Sequence, residues 1–342
     1  MKPYKGVLKK RLNDILNRFD NVRAGVLGDI CLDVYWHADM RNSELSLETP
    51  HFNLPITDEK MSLGGGANVA ANMVALKPKS VEIFGAVGND WRGRELINLL
   101  KEQNIGVSGV VTRPGFSSTY IKPIRRGISN VAYEDPRLDF LPYEHISREL
   151  EDDLIAALSK SANSLDVLCI SDQLLFGVVT SRLRKYVSKL AGQGLCVIVD
   201  SRHNIGLFKN AVLKPNEFEG AAAAGMDAKK IETLKDCEII AQTIVKQTGC
   251  SVFMTIGDKG SICIYDQQVW HIPAQKVDDP IDIVGAGDSS LSGFGLALAA
   301  GAEPCEAAII AGLCSAVTIK QIGTTGTATR EQVLLCASKK AT

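Results

Sequence analysis

Short apolar runs rich in β-branched residues alternate along the chain with longer segments in which apolar residues recur every three or four positions. The short runs are typical of buried strands, and the longer segments are typical of amphipathic helices. We predict strands at residues 23–27, 81–86, 167–170, 195–199, 212–213 and 251–256. We predict helices at residues 92–103, 147–160, 178–191 and 228–247, and another near the amino terminus. This alternation indicates an α/β fold, with a doubly wound, mostly parallel sheet and helices on both faces.

Two stretches, at about residues 34–61 and 106–141, break this alternation. The second contains the segment from Thr119 to Arg125, in which side-chain character alternates as it does in an exposed strand. We expect the two stretches to form one small antiparallel β sheet that acts as a lid. The chain would then be a single domain, residues 1–342, with the lid inserted at two points.

Composition and charge exclude several classes of protein. Apolar residues make up 45% of the 342 residues and charged residues 23%, which is ordinary for a folded globular chain. With 38 basic and 39 acidic residues, the chain has no net charge to attract nucleic acid or an anionic membrane. No apolar run approaches the ~20 residues that span a bilayer. We therefore expect a cytoplasmic protein, with neither nucleic acid nor membrane as a partner.

The cysteines also favour a reducing compartment. There are nine, an odd number, and most lie within apolar segments. Their spacing lacks the close pairs that are typical of structural zinc sites. We interpret them as reduced residues of the core.

One glycine-rich turn carries the strongest chemical signal. Asp282-Ile-Val-Gly-Ala-Gly-Asp288 is followed by a helix of small residues that ends at Gly301. In such a turn the backbone amides of Gly285, Ala286 and Gly287 can converge on an anion, and the helix dipole assists them. Asp288 could accept a proton from an alcohol beside this site. The alternative is a tight turn in which Asp288 is only an acidic residue of the first helical turn.

A second glycine-rich segment, Leu63-Gly-Gly-Gly-Ala-Asn68, also opens a predicted helix. Glycines such as Gly65 permit close backbone approach, and the Asn68 amide offers the donor and acceptor that polyols require. Asp33 follows the first strand, where open α/β sheets place ligands. The alternative for the glycines is a simple hinge.

These two segments, in this order and separation, resemble the two signatures of the ribokinase-like (PfkB) carbohydrate kinases. The resemblance extends over residues 23–326, with further matches at residues 85–93, 216–219 and 255–260. It implies a ribokinase-like fold and an ATP-dependent sugar kinase in which Asp288 is the catalytic base. Gly285, Ala286 and Gly287 would form the anion-binding site.

The resemblance also assigns the nucleotide and metal sites. Asn216 and Glu219 would organise Mg²⁺ through water, and Thr255, Gly257 and Gly260 would flank the ATP phosphates and ribose. Asp282 is a candidate ligand for a monovalent cation such as K⁺. The alternative for Asn216 and Glu219 is a helix cap with an acidic residue at the third helical position.

Within the family, residues 28–36, 137–140 and 171–172 are similar to kinases that phosphorylate the anomeric hydroxyl of D-glycero-D-manno-heptose 7-phosphate. The resemblance makes the following residues candidates for sugar contacts: Asp33, Gly65, Asn68, Lys122, Arg137, Asp139 and Asp172. A phosphorylated sugar requires fixed cations, which Lys122, Arg125, Arg126 and Arg137 could provide. The chain departs from that subgroup at residues 173–177 and at Ser201-Arg202.

Other functions remain open at this point. The chain could phosphorylate ribose, fructose, a phosphorylated hexose or a nucleoside, or it could be a sugar- or nucleotide-binding regulator without turnover. A lid of β strands often leaves an apolar face that a second subunit covers, so we expect a homodimer.

Overall fold

The computed structural model describes residues 1–4, 6–129 and 131–338. The strands, numbered in chain order, are β1 (Lys2–Pro3), β2 (Arg23–Gly28), β3 (Ile30–Asp39), β4 (Ile56–Gly65), β5 (Ser80–Gly88), β6 (Gly106–Arg113), β7 (Ser118–Arg126), β8 (Tyr133–Glu134), β9 (Leu138–Phe140), β10 (Val167–Asp172), β11 (Cys196–Ser201), β12 (Val212–Leu213), β13 (Ser251–Thr255), β14 (Ser261–Tyr265) and β15 (Gln268–Ile272). The α-helices are α1 (Lys9–Arg18), α2 (Gly66–Ala75), α3 (Trp91–Glu102), α4 (Arg148–Ala162), α5 (Ser181–Gly192), α6 (Glu217–Ala224), α7 (Leu234–Thr248), α8 (Ala286–Ala299), α9 (Pro304–Thr318) and α10 (Arg330–Ser338).

The large sheet has the strand order β1-β15-β14-β13-β12-β11-β10-β2-β5-β6. Every neighbouring pair from β13 to β6 is parallel, whereas β13, β14 and β15 form an antiparallel meander. All six predicted strands lie in this sheet. The predicted mostly parallel α/β fold is confirmed.

Two hydrophobic clusters, one on each face, hold the helices against the large sheet. One cluster includes α1, α2, α8, α9 and α10, and the other includes α4, α5, α6 and α7. The rings of Phe253 and Phe294 stack with centroids 4.2 Å apart and join β13 to α8. Burying such a side chain stabilises the fold by about 1.5 to 3 kcal/mol. This packing confirms the prediction of helices on both faces.

Two predicted helices begin later than their apolar spacing suggests. Helix α7 begins at Leu234 because Thr233 and Asp236 form a reciprocal cap, and residues 228–230 form only a short 3₁₀ turn. Helix α5 begins at Ser181 because the Thr180 side chain accepts a hydrogen bond from the amide of Leu183. In both cases a threonine cap fixes the start of the helix.

The smaller sheet, which we call the lid, has the order β4-β3-β7-β8, with β9 also paired to β7. Two details differ from the prediction. Strand β6, within the predicted second insertion, pairs in parallel with β5 at the edge of the large sheet. The lid is also mixed, because β3 and β7 are parallel. Strand β3 follows β2 after Asp29 alone, so the lid continues directly from a core strand.

The cysteines form no disulfide in the parts of the chain that the structure describes, which include all nine. Seven are buried, and Cys196 and Cys336 are half-buried. Their burial agrees with their interpretation as core residues. Among the described residues, no helix is both long enough and apolar enough to cross a lipid bilayer.

Candidate active site

The candidate site lies at the carboxyl edge of the large sheet. Because β2, β10, β11 and β12 are parallel, their last residues meet at this edge, where Asp200 and Lys214 are found. Helices α2 and α8 both begin here. The amide of Gly66 in α2 donates to the Asp29 carbonyl at 2.8 Å. A Cβ atom built on Gly287 in α8 would lie 3.9 Å from Lys214 Nζ.

The amino terminus of α8 provides donors for an anion. Gly285 is the N-cap residue of α8 and has a φ of 81°, a left-handed conformation that favours glycine. Because glycine has no side chain, no side-chain oxygen of the N-cap residue accepts from the first amides of the helix. The amide of Ala286 donates to the Ile283 carbonyl at 3.2 Å. The amides of Gly287 and Asp288 have no backbone acceptor within the described residues. The Ala286 amide is thus occupied in the structure and the amides of Gly287 and Asp288 are available, and the binding of an anion by this turn stays a prediction.

Asp288 in the first turn of α8 contacts the other glycine-rich segment. Its carboxylate accepts a hydrogen bond from Asn68 Nδ2 at 2.6 Å. Burial raises the pKa of Asp288 to about 7, and the hydrogen bond from Asn68 opposes this rise. The Asp200 carboxylate raises the pKa further, while Lys214 lowers it. An aspartate that titrates near neutral pH is a stronger base than a free one, whose pKa is ~3.9.

Helices α2 and α8 are joined a second time just behind this contact. The hydroxyl of Ser292 in α8 lies 2.8 Å from the Val69 carbonyl in α2 and 2.8 Å from the Asp288 carbonyl. Gly65 precedes α2 with a φ of 56°, and a Cβ there would lie 2.6 Å from the Asp29 carbonyl oxygen. Glycine at position 65 therefore allows the start of α2 to pack closely against the backbone at this edge of the sheet.

The lid brings Asp33 and two cations close to one another. Asp33 on β3 is 9% exposed, and a Cβ on Gly64 would lie 2.9 Å from its carboxylate. Burial raises the pKa of Asp33 to about 6, and the charges of Lys122 and Arg137 oppose the rise. Arg137 also forms an ion pair with Asp139 at 2.6 Å. In the structure Asp139 therefore neutralises part of the charge of Arg137.

Aromatic side chains support the two lid cations. Lys122 Nζ lies 5.1 Å from the centroid of the Tyr35 ring, and the Arg137 guanidinium lies 4.3 Å from the centroid of Tyr120. Such cation–π contacts contribute about 0.5 to 2 kcal/mol each. The other two predicted cations, Arg125 and Arg126, line a different groove on the lid. Arg125 also forms an ion pair with Asp135 at 2.7 Å.

Comparison with known families decides the assignment. The model of the pfkB family carbohydrate kinases matches residues 32–330, which is most of the chain. The chain belongs to the pfkB carbohydrate kinase family. It is therefore an ATP-dependent carbohydrate kinase.

Curated relatives of this pfkB kinase include the bifunctional protein HldE of Geobacter metallireducens and of Wolinella succinogenes. Each is 30% identical, over 322 residues (92% of this chain) and 321 residues (90% of this chain) respectively. HldE of Sulfurimonas denitrificans is 28% identical over 301 residues, 87% of this chain. The chain spans 61% to 63% of the length of these relatives.

Solved structures of similar fold include phosphofructokinase-2 from Escherichia coli in complex with fructose-6-phosphate. That structure is 20% identical, covers 93% of this chain and 99% of its own, and has a TM-score of 0.73. Ribokinase from Thermotoga maritima is 21% identical, with the same coverage and a TM-score of 0.66. A further structure of phosphofructokinase-2 from Escherichia coli, in complex with potassium, is 21% identical over 94% of this chain and 100% of its own, with a TM-score of 0.74. These likenesses confirm the ribokinase-like fold of the pfkB kinase.

Sequence reasoning missed Lys214, which is central to the site. Lys214 is 2% exposed, and its Nζ lies 2.5 Å from the Asp200 carboxylate, which also accepts from Gln173 Nε2 at 3.0 Å. Burial lowers the pKa of Lys214, but the Asp200 carboxylate outweighs that effect and the net pKa is raised. Lys214 is therefore a fixed cation opposite the start of α8. A lysine between a buried strand and Pro215-Asn216 was the available signal.

The side chain of Asp172, a predicted sugar contact, bonds to neighbouring protein groups in the structure, and its contact with a sugar stays a prediction. It is buried, and its carboxylate accepts from the Ser201 hydroxyl at 2.6 Å and from Asn204 Nδ2 at 3.0 Å. Burial raises its pKa despite these hydrogen bonds. The side chain holds the loop after β11 against the end of β10.

Asn216 and Glu219 adopt the helix-cap geometry that was the alternative to a metal role. Asn216 Oδ1 accepts from the Glu219 amide at 2.8 Å, and Glu219 Oε2 accepts from the Asn216 amide at 2.9 Å. Burial, followed by the Asp200 carboxylate, raises the pKa of Glu219. Because the cap occupies Glu219 Oε2, its Oε1 atom is the one that could face the water ligands of Mg²⁺.

The predicted nucleotide loop follows β13 beside this cap. The Thr255 amide donates to the Pro215 carbonyl at 3.0 Å, which places the loop next to Asn216. Gly257 and Gly260 have φ of 49° and 95°, and a Cβ on Gly260 would lie 2.1 Å from the Ile272 carbonyl oxygen. Both positions favour glycine for reasons of backbone conformation. Their contact with ATP stays a prediction.

Asp282 holds the loop before α8. Its carboxylate accepts from the amides of Val284 at 3.0 Å and Gly323 at 3.1 Å. A carboxylate in this geometry retains lone pairs for a cation, so its role in binding K⁺ stays a prediction. Across residues 1–4, 6–129 and 131–338, no cluster of three or more His, Cys, Asp or Glu side chains is arranged for a metal ion.

Proposed function

We propose that this pfkB kinase transfers the γ-phosphoryl group of ATP to the anomeric hydroxyl of D-glycero-D-manno-heptose 7-phosphate. The observation that carries the proposal is the 2.6 Å hydrogen bond between Asn68 and Asp288 at the amino terminus of α8. It joins a polar amide suited to a sugar and a carboxylate of raised pKa, next to unpaired helix amides and a buried lysine.

The chemistry follows from this arrangement. The sugar hydroxyl donates its proton to Asp288 as its oxygen bonds to the γ-phosphorus of ATP. The bond from that phosphorus to the bridging oxygen breaks, and ADP leaves. The amides of Gly287 and Asp288 and the Lys214 ammonium stabilise the negative charge of the phosphoryl group in flight. Bound with ATP, Mg²⁺ would neutralise phosphate charge, with Glu219 and Asn216 ordering its water ligands.

Two features support a sugar that already bears a phosphate. Lys122 and Arg137 lie close enough to Asp33 for their charges to oppose the rise in its pKa that burial causes. Two cations and a carboxylate that could bind a hydroxyl therefore lie near one another. Fixed cations of this kind are what a second phosphate requires. The similarity of residues 28–36 and 137–140 to heptose phosphate kinases supports a heptose phosphate as the substrate. The similarity of the chain to the HldE proteins also supports this substrate.

A panel of acceptors tests the proposal directly. ADP release would be measured with ATP and Mg²⁺ and with heptose 7-phosphate, unphosphorylated heptose, fructose 6-phosphate or ribose. We expect the highest kcat/KM for heptose 7-phosphate. A preference for ribose would exclude the heptose phosphate assignment, and a lack of turnover with every sugar would favour a binding regulator.

The same panel with Lys122→Met identifies what the lid cation recognises. We expect KM for the phosphorylated sugar to rise by ~10-fold, the loss typical of one charge-assisted hydrogen bond, with KM for the unphosphorylated sugar unchanged. Lys160→Met is the matched control, because it makes the same change at an exposed position of α4. Equal effects of Lys122→Met on both sugars would assign Lys122 to the sugar ring instead.

We further propose that two copies of the chain pair through their lids, in the cytoplasm where ATP is supplied. Exposed apolar side chains beside the groove of Arg125 and Arg126 support this pairing: Ile128 is 78% exposed, Val131 54% and Tyr133 53%. We expect light scattering to report a dimer for the natural chain and a monomer for Ile128→Glu. A natural chain that is monomeric at all concentrations would exclude this interface.

A further inference from the structure

A second asparagine lies one helical turn behind the candidate sugar-binding amide. Asn72 of α2 is 1% exposed, and Asn68 is 2% exposed. Asn72 Nδ2 lies 2.9 Å from the Asn68 backbone carbonyl and 3.1 Å from Asn68 Oδ1. The Asn68 side chain is thus held on one side by Asn72 and on the other by Asp288.

The chemistry of these contacts fixes the orientation of both amides. A backbone carbonyl can only accept, so the Asn72 atom that faces it must be the amide nitrogen. The same nitrogen also donates to the Asn68 side chain, so the Asn68 atom that accepts this hydrogen bond is Oδ1. Asn68 therefore directs its own nitrogen to Asp288, at 2.6 Å.

Asn72 also carries a feature that stability alone does not explain. Its Oδ1 is buried and has no hydrogen-bond partner among the described residues. A buried acceptor without a partner costs roughly 1 to 3 kcal/mol. An apolar side chain of the same shape would avoid that cost. The polar side chain thus has a purpose other than the packing of α2.

We infer that Asn72 is a positioning residue that locks the Asn68 amide with its donor toward Asp288 and so keeps the Asp288 carboxylate ionised and ready to accept a proton. This inference rests on the proposed function, in which Asp288 is the base. With Asn72 replaced, the Asn68 amide can rotate and present its oxygen to Asp288. That contact favours the protonated acid, which cannot accept the sugar proton.

Other charged groups face Asp288 from neighbouring elements, and the Asn72 substitution leaves them in place. Asp200 from β11 raises the pKa of Asp288, Lys214 after β12 lowers it, and Asp33 from β3 raises it. Asp288 in turn raises the pKa of the Cys31 thiol on β3. A change in the titration of Asp288 in the variant is therefore attributable to the Asn68 contact.

The test is the pH profile of kcat/KM for Asn72→Leu, which removes the amide and keeps the approximate shape. In the natural enzyme, activity should fall as the pH drops through about 7, because Asp288 then takes up a proton. In the variant we expect this acid limb to move up by about one pH unit, so that activity falls by ~10-fold at pH 6.5 and little at pH 9. The Tm should be unchanged or higher.

Two controls isolate the role of Asn72. Asn98→Leu makes the same change at an exposed position of α3 and should shift nothing. In an Asn68→Ala background, Asn72→Leu should add no further shift, since the two residues act in series. An unmoved acid limb in Asn72→Leu, or an equal loss of activity at every pH together with a lower Tm, would assign Asn72 a packing role only.

A measurement without turnover separates this inference from the proposed function. Carboxyl-labelled aspartate permits an NMR titration of Asp288, with the signal identified by its absence in Asp288→Asn. We expect a higher midpoint in Asn72→Leu than in the natural chain. Equal midpoints would overturn the inference even in an active kinase. A shifted midpoint in a protein that phosphorylates no sugar would retain the inference about Asn72 and refute the proposed function.

Discussion

Replacing Asp288 by Asn is expected to lower kcat by at least ~10²-fold, a typical loss for a positioned proton acceptor. The new amide oxygen can still accept from Asn68, so the contact between α2 and α8 persists while the proton acceptor is gone. Burying a charged group costs free energy, so the Tm should be unchanged or higher. Steady-state ADP release and thermal unfolding would measure both effects.

The matched control for this variant is Asp153→Asn, which makes the same change on the exposed face of α4. It should leave kcat and Tm as they are in the natural chain. Full turnover in Asp288→Asn would exclude Asp288 as the base. A loss of turnover accompanied by unfolding would point instead to a structural role for the carboxylate.

Replacing Gly287 by Val is expected to reduce kcat by ~10² to 10³-fold, because the new side chain would hold a developing anion away from the α8 amides, an effect comparable to the loss of one donor. A Cβ on Gly287 meets no protein atom closer than Lys214 Nζ at 3.9 Å, so the folded chain has room for the first atom of a side chain there. That room is the space between the α8 amides and the lysine, where the phosphoryl group would lie. The branched side chain of valine would project into this space. Turnover, KM for ATP and Tm are the measurements.

Gly106→Val serves as the control for this substitution. Gly106 begins β6 at the edge of the large sheet, and its nearest Cβ contact is an ordinary 3.4 Å from the Val81 carbonyl oxygen. Activity should be retained there. If Gly287→Val were fully active, the phosphoryl group would have to bind elsewhere than at the start of α8.

Local patterns predicted the large sheet well because its strands are buried on both faces. A strand covered by helices is apolar along its length, and the six predicted runs have that composition. Strand β6 was assigned to the lid because it lies within residues 106–141, a stretch that breaks the alternation of strands and helices, and most of its residues are not buried as those of a central strand are. Sequence periodicity reports exposure and cannot report which sheet a strand joins.

The candidate site shows the same division. The turn before α8 and the segment before α2 could be recognised because a positive φ favours glycine, as at Gly285 and Gly65. Asp172 was assigned to the sugar because Ser171-Asp172 resembles the pattern of the heptose phosphate kinases. Its partners Ser201 and Asn204 lie 29 and 32 residues away and follow only from the fold.

Lys214 illustrates the opposite error. A lysine usually lies at the surface, so its place directly after a buried strand was a local signal too weak to mark it as buried. Its burial depends on Asp200, which reaches it only because β11 and β12 are neighbours in the sheet. A buried cation can be inferred from sequence only when its counter-ion is also recognised.

The double connection of α2 and α8, through Asn68 with Asp288 and through Ser292 with Val69, has a consequence for how such kinases diversify. Both connections belong to the large-sheet body, whereas Lys122 and Arg137 belong to the lid. The groups assigned to bond making therefore share a framework that the lid strands do not build. We therefore expect that substitutions at Lys122 and Arg137 can alter which phosphorylated sugar is bound, while the groups assigned to the chemical step stay in place.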